Sequence, residues 1–246
     1  MRWNTICFDL DNTLFSHEKA FERAIQHTFE NKYLKNKDIP YVDKKQWFET
    51  FKRNCDYYWH KLEENKLTHD EYRKVRFDET MKTFGLPFGE LDAKEFHDEY
   101  EDIVVQYSIP FQGMSQLLSS LYQADINLGI ITNGRQKTQE RKIKQLKTDD
   151  YIPRSQVIIS EDVGIEKPDK GIFDYALNKI NGDKSSALFI GDSWHLDVMG
   201  AIHAGWDAVF LNTRAETRSS SDIPVAEHYD FQETVQFLLQ SLHLKG

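Results

Sequence analysis

Thr5-Ile6-Cys7-Phe8-Asp9-Leu10-Asp11-Asn12-Thr13-Leu14 sets a short apolar run directly against a pair of carboxylates. The run reads as a strand, and an extended chain points residues i and i+2 to the same side. Asp9 and Asp11 are therefore expected to address one site just beyond the strand's carboxyl end. Two acids held that close repel each other unless a cation or a shared proton compensates. Such a pair belongs to chemistry rather than to packing.

C-terminal to this stretch the texture changes. Phe21, Ile25 and Phe29 recur at helical spacing, as do Trp47, Phe51, Tyr58 and Leu62. Tyr72, Val75, Phe77 and Met81 mark a third helix, and Phe96, Tyr100, Ile103 and Val104 a fourth. Connections are expected near Lys37 to Tyr41, around Asn65 to Asp70, and at Gly85 to Gly89. The aromatic stripes read as helix–helix contacts, and the charges between them as solvated faces. After Ile109-Pro110 strands and helices alternate. Strands are expected at Ile126 to Thr132, Val157 to Ser160, Ala187 to Gly191 and Ala208 to Leu211, with helices at Met114 to Tyr122, Gln136 to Leu146, Lys170 to Ile180 and Leu196 to Ala204. Short apolar strands without clean alternation imply burial on both faces, hence a parallel sheet covered by helices. The expected fold is α/β: a Rossmann-like parallel-sheet core of residues 1–16 and 108–246, interrupted by an inserted α-helical domain of residues 17–107.

The chain's 246 residues are 39% hydrophobic, enough for a substantial core. Apolar stretches such as Ala187 to Ile190 are far too short to span a bilayer, and the N-terminus shows no signal-peptide pattern. Cys7 and Cys55 form no CxxC pair, and Cys7 reads as a small buried residue of the first strand. A cytoplasmic location, away from any membrane, is the expectation. Forty acidic against 31 basic residues give a formal charge of -9, which argues against a nucleic-acid polymer as partner. A small phosphorylated metabolite can still bind where local donors and a metal offset the acids.

Ligands of open α/β sheets gather beyond the strands' carboxyl ends. Asp9 and Asp11, then Thr132-Asn133-Gly134, then Gly191-Asp192-Ser193 with Asp197, all fall there, and Glu166-Lys167-Pro168-Asp169 stands at a helix entrance. The combination permits a carboxylate to attack phosphorus and form an aspartyl-phosphate, splitting hydrolysis into two steps. Mg²⁺ suits oxygen ligands and uses few protein carboxylates. Thr132 can donate a hydroxyl hydrogen bond, Asn133 and Gly134 can offer backbone amides at a helix start, and Lys167 can steady both carboxylate and phosphate. A second acid must protonate the leaving oxygen and then activate water; by position that acid is Asp11.

These residues resemble the haloacid dehalogenase-like hydrolase superfamily. Asp9-Leu10-Asp11-Asn12-Thr13 meets its DxDx[T/V] motif, Thr132 its strand-end Thr or Ser, Lys167-Pro168 its third motif, and Gly191 to Asp197 its GDxxxxD motif. The resemblance spans nearly the whole chain and implies Asp9 as nucleophile and metal ligand, with Asp11 as general acid/base that ligates Mg²⁺ through its backbone carbonyl. It implies Asp192 as the remaining carboxylate ligand, and Asp197 in the outer shell or bonded to Lys167. Thr132 and Lys167 match the phosphate-binding and charge-compensating positions. The insertion corresponds to the helical cap of subfamily I, and Phe15, Ser16 and His17 fall where that cap begins.

Relatives that displace halide from carbon lack the second acid, so Asp11 favours phosphoryl transfer. The expected activity is a Mg²⁺-dependent phosphatase acting on small monoesters. The Thr132-Asn133-Gly134 form and the aromatic-rich insertion look similar to the YjjG-type nucleotidases, which hydrolyse nucleoside monophosphates. Sugar-phosphate or phosphoglycolate phosphatase, phosphohexomutase and a catalytically inactive interaction module are the alternatives. Monomer and homodimer are both compatible with the sequence. His195 reads as a loop residue rather than a ligand, and Trp194 as a rim or core residue. Arg135 reads as a solvated helix start.

Overall fold

The structure, a computed structural model, describes residues 2–35 and 40–243. The chain divides into two compact units, Met1–His17 with Ser108–Gly246, and Glu18–Tyr107. The strands are β1 (Thr5–Phe8), β2 (Asn127–Thr132), β3 (Val157–Ile159), β4 (Ala187–Gly191), β5 (Asp207–Leu211) and β6 (Ala226–His228). They form one parallel sheet in the order β3-β2-β1-β4-β5-β6.

Ile6, Cys7 and Phe8 of β1 are completely buried, and every residue of β4 is buried. The continuous apolar runs therefore mean what they were expected to mean, namely a sheet shielded on both faces. Phe8 pairs with Ile130 of β2 and with Ile190 of β4, and those two strands run two residues and one residue further, to Thr132 and Gly191. The strand order reverses between β1 and β4. A crevice opens at such a reversal, and residues following those two strands face into it. The edge strand β6 was not anticipated: its Ala-Glu-His sequence is half-buried and carries no apolar run.

The helical unit contains α1 (His17–Phe29), α2 (Lys44–Glu63), α3 (His69–Thr83) and α4 (Asp92–Val104), with α1 continuing into a π-helical turn. Its aromatic residues are the contact surfaces between helices. Phe29 stacks on Trp47 at 4.1 Å between ring centroids, Trp47 on Phe51 at 5.2 Å, and Phe77 packs on Phe96 at 5.1 Å. Asp43 caps α2, and Thr68 with Glu71 forms a capping box that starts α3. One charge departs from the expected solvated face. The Arg76 guanidinium is buried 4.7 Å from the Tyr72 ring and 5.2 Å from that of Phe51, where its flat cation stacks favourably. The connection expected near Lys37 to Tyr41 falls mostly on residues 37–39, outside the described residues.

Helices α5 (Met114–Gln123), α6 (Gln136–Leu146), α7 (Ser160–Val163), α8 (Lys170–Ile180), α9 (Gly200–His203) and α10 (Phe231–Ser241) belong to the sheet unit. The helix expected from Leu196 to Ala204 is instead a π-helical turn, Trp194–Met199, leading into α9. Ile172, Phe173, Phe189, Trp194 and Phe210 share one core cluster beside the sheet. No helix among the described residues is long and apolar enough to cross a membrane.

Candidate active site

The backbone N–H of Asp9 donates to Ile190 O at 2.8 Å, carrying the pairing of β1 with β4 one residue further. Asp9 is thereby set beside the end of β4, where Asp192 follows. Asp9, Asp192 and Asp197 are all buried, and each offers a carboxylate oxygen within 4.8 Å of the other two. The Lys167 ammonium bridges this group, 2.7 Å from Asp9 Oδ1 and 2.6 Å from Asp197 Oδ1. The second oxygen of Asp197 accepts from the Ser193 N–H at 2.9 Å. Gly191 makes the approach possible, because a Cβ there would overlap the Asp197 side chain. Asn133 holds Lys167 from behind: its Nδ2 donates to Lys167 O at 3.0 Å, and Lys167 N–H donates to Asn133 Oδ1 at 2.9 Å.

Asp11 is placed differently from the sequence expectation. β1 ends at Phe8, Leu10 lies in a bend and Asn12 takes a left-handed φ of 62°, so Asp9 and Asp11 share no extended face. The Asp11 carboxylate meets Lys142 Nζ at 2.7 and 2.9 Å, Gln139 Nε2 at 3.0 Å and His17 Nδ1 at 3.4 Å. Its side chain stands apart from the Asp9–Asp192–Asp197 group, with Lys142 rather than a shared cation balancing its charge.

Thr132 ends β2, and its Oγ1 accepts from Gln139 Nε2 at 2.7 Å. Asn133 and Gly134 precede α6 instead of starting it. The Gly134 amide is already engaged, donating to Ser160 Oγ at 3.1 Å. The expectation of an open amide at Gly134 is corrected accordingly. His195 is exposed and outside the carboxylate group, and Trp194 is fully buried with its Nε1 donating to Ser220 Oγ at 3.1 Å. Gln139, Lys142 and Arg214 were not anticipated. Their only sequence signal is the i, i+3 spacing of the first two on a helix that follows a strand end, and that spacing is commonplace.

Burial pushes the Asp9 carboxyl up to about 7, helped by the negative charges of Asp197 and Asp11 and opposed by Lys167. Asp192 is likewise pushed well above the ordinary carboxylate range by burial, then by Asp9 and Asp197. Burial works against the Lys167 ammonium, but Asp197 and Asp9 outweigh it and raise its pKa. At Asp11 burial also opposes ionisation, yet Lys142 and His17 prevail and hold the group at about 2. The acids at the crevice thus differ: at Asp9 and Asp192 burial and the neighbouring carboxylates outweigh Lys167 and Arg214, whereas at Asp11 the positive charges win.

Asp192 Oδ2 lies 2.7 Å from Arg214 Nη2, yet this buried oxygen makes no hydrogen bond among the described residues. Three buried carboxylates gathered within 4.8 Å of one another are an oxygen-rich donor set that a hard divalent ion such as Mg²⁺ fits. Asp9 and Asp192 are the side chains free to supply it. Asp197 has both oxygens committed, to Lys167 and to Ser193.

The chain is similar along almost its whole length to several known proteins. YfnB of Bacillus subtilis (strain 168), named a HAD-hydrolase, is 28% identical over 96% of this chain and 96% of its own. Its magnesium-bound crystal structure, described as revealing interdomain movement, superposes with a TM-score of 0.80 over 98% of this chain and 99% of that one, at 26% identity. The pyrimidine 5'-nucleotidase YjjG of Escherichia coli (strain K12) is 26% identical over 97% of this chain and 99% of its own. The pyrimidine 5'-nucleotidase PynA of Streptococcus pneumoniae (strain ATCC BAA-255 / R6) is 28% identical over 97% and 96%. Residues 6–211 match the family model described as haloacid dehalogenase-like hydrolase. The chain belongs to the haloacid dehalogenase-like hydrolase family.

Proposed function

We propose that this chain is a Mg²⁺-dependent phosphatase that hydrolyses small phosphate monoesters through a covalent phosphate on Asp9, with nucleoside 5'-monophosphates, pyrimidine ones foremost, as its substrates. The observation that carries the reading is the buried ammonium of Lys167 shared by Asp9 and Asp197 beside the under-compensated Asp192. The nucleotide preference rests on the two relatives named pyrimidine 5'-nucleotidases, each matching almost end to end.

Asp9 and Asp192 are the side chains that would hold the ion, together with the backbone carbonyl of Asp11. When bound, Mg²⁺ supplies the positive charge that lets an anionic phosphate approach an anionic nucleophile. In the first step an Asp9 oxygen bonds to phosphorus as the bond from phosphorus to the ester oxygen breaks, and a protonated Asp11 gives its proton to the departing oxygen. In the second, the Asp11 carboxylate takes a proton from water, the water oxygen bonds to phosphorus, and the Asp9–phosphorus bond breaks. The Thr132 hydroxyl and the Lys167 ammonium steady the non-reacting oxygens. Held by Lys142 and Gln139, Asp11 is a carboxylate, so it must leave that pair and gain a proton from solvent before the first step. The unit Glu18–Tyr107 serves as the cap that selects the substrate, and Phe15, Ser16 and His17 lead into it. Two free, buried cysteines suit work in a reducing cytoplasm.

The test is a panel of nucleoside monophosphates, sugar phosphates and phosphoglycolate, assayed for phosphate release with and without Mg²⁺. Highest kcat/KM on pyrimidine nucleotides, and none for Asp9→Asn, is the expected result. Unchanged turnover in that variant would refute the nucleophile, and a preference for sugar phosphates would refute the substrate class.

A further inference from the structure

Helix α6 sends two long polar side chains inward, Gln139 and Lys142, which are only 2% and 4% exposed. Gln139 is the more consequential, because a single nitrogen touches two groups with different tasks. Its Nε2 lies 3.0 Å from Asp11 Oδ2 and 2.7 Å from Thr132 Oγ1. A carboxylate only accepts hydrogen bonds, so Asp11 requires the amide to turn its NH₂ end inward. Lys142, bonded to both Asp11 oxygens, keeps that group an acceptor. The second amide hydrogen then occupies a lone pair of Thr132 Oγ1. A threonine hydroxyl has one proton, and here it must point away from Gln139. Among the described residues its one hydrogen-bond acceptor is Asn133 O at 3.4 Å, longer than an ordinary O–H···O bond. The proton is left for an incoming oxyanion.

We propose that Gln139 is a positioning residue that fixes the Thr132 hydroxyl as a donor to substrate phosphate and ties that hydroxyl to Asp11. The inference rests on the phosphatase reading and deepens it: while phosphate enters, with Asp11 still a bonded carboxylate, hydrogen-bond polarity runs from Asp11 through Gln139 to Thr132. A residue that merely satisfied a buried carboxylate would affect folding stability and leave phosphate affinity alone.

The experiment measures binding of inorganic phosphate in the presence of Mg²⁺ by calorimetry, with kcat/KM and Tm recorded on the same samples. Gln139→Leu should weaken phosphate binding about tenfold, the worth of one oriented hydrogen bond. Gln139→Glu should weaken it further, because a carboxylate would capture the hydroxyl proton and repel Asp11. In a Thr132→Val background Gln139→Leu should have no further effect on phosphate binding, and Gln139→Glu should keep only its charge repulsion. Gln139→Met serves as the second apolar variant should the leucine form fail to fold. Phosphate affinity within about twofold of wild type in a folded variant would overturn the proposal. So would a loss that persists undiminished in the Thr132→Val background. Wild-type protein that turns over no monoester would overturn the phosphatase reading instead, while phosphate binding would still decide the role of Gln139.

Discussion

Gly191 and Asp197 occupy overlapping territory: the side-chain position that Gly191 leaves empty is filled by the Asp197 carboxylate. The last residue of β4 thus lets a buried acid lie against the strand end and reach Lys167. Gly191→Ala is expected to push Asp197 away, leaving Lys167 with one partner fewer in a buried site. The loss should be about 3 kcal/mol of stability, with a steep fall in turnover. Urea unfolding monitored by fluorescence measures the first and phosphate release the second. A variant as stable and active as wild type would show that the overlap is relieved without cost.

Mg²⁺ is expected to stabilise the folded chain in proportion to its binding. At a hundredfold excess over Kd the gain in unfolding free energy is about 2.7 kcal/mol. Asp192→Asn should remove most of that gain while leaving the ion-free protein at least as stable, since it relieves repulsion among three buried acids. Paired urea titrations with Mg²⁺ and with EDTA read this without any assay of activity.

Protons compete with the ion for Asp9. Burial, with Asp197 and Asp11, raises this carboxyl to about 7 in the absence of a metal, so below that pH the ligand must lose a proton before it can bind. Apparent Mg²⁺ affinity should therefore fall about tenfold between pH 8 and pH 6. Calorimetry across that range, with proton release measured in two buffers, checks it; a flat profile would place the ion away from Asp9.

Stability itself should fall on the acid side through His97. Burial, with Arg73 and Arg76 nearby, lowers this imidazole below its ordinary 6.5, although its hydrogen bond to Glu101 opposes the shift. The unfolded chain then binds the extra proton first, so stability rises with pH through this window and is lost as pH falls below 6.5. His17 and His228 are shifted the same way and add to the slope. His97→Gln should flatten the dependence by up to one proton's worth, measured as urea midpoints from pH 7.5 down to 5 at constant ionic strength.

Residues whose chemistry is announced by local context were legible from the chain alone. Asp9, Lys167, Asp192 and Asp197 each sit at a strand end or helix entrance with a distinctive neighbour, and the structure brings these four together. Buried strands such as β4 were equally plain, since a run as short as Ala-Leu-Phe-Ile, closed by Gly191, suits a shielded strand better than a helix. Elements stabilised by partners far away in sequence were not. The edge strand β6 pairs on one side only and has no need of an apolar run, and helix α10 went unnoticed beside it. Gln139 and Lys142 look like ordinary surface residues of a polar helix; their bonds to the distant Asp11 and Thr132 are what hold them inward. The same long-range pair draws Asp11 away from the extended placement that its spacing from Asp9 suggested.

The side chain of Asn133 touches Lys167 only through the latter's main chain, giving one hydrogen bond and taking one. It acts as a clasp between the segment leaving β2 and the segment entering α8, imitating a single rung of sheet. Aspartate at this position would lose the donor, and leucine both halves. The ammonium's aim therefore depends on how its own stem is rooted: a loosened clasp would let the cation wander with every charge in the site still present. Asn133→Leu, with Asp9 and every other ionisable group intact, is accordingly a route to a site that is fully charged and poorly aimed.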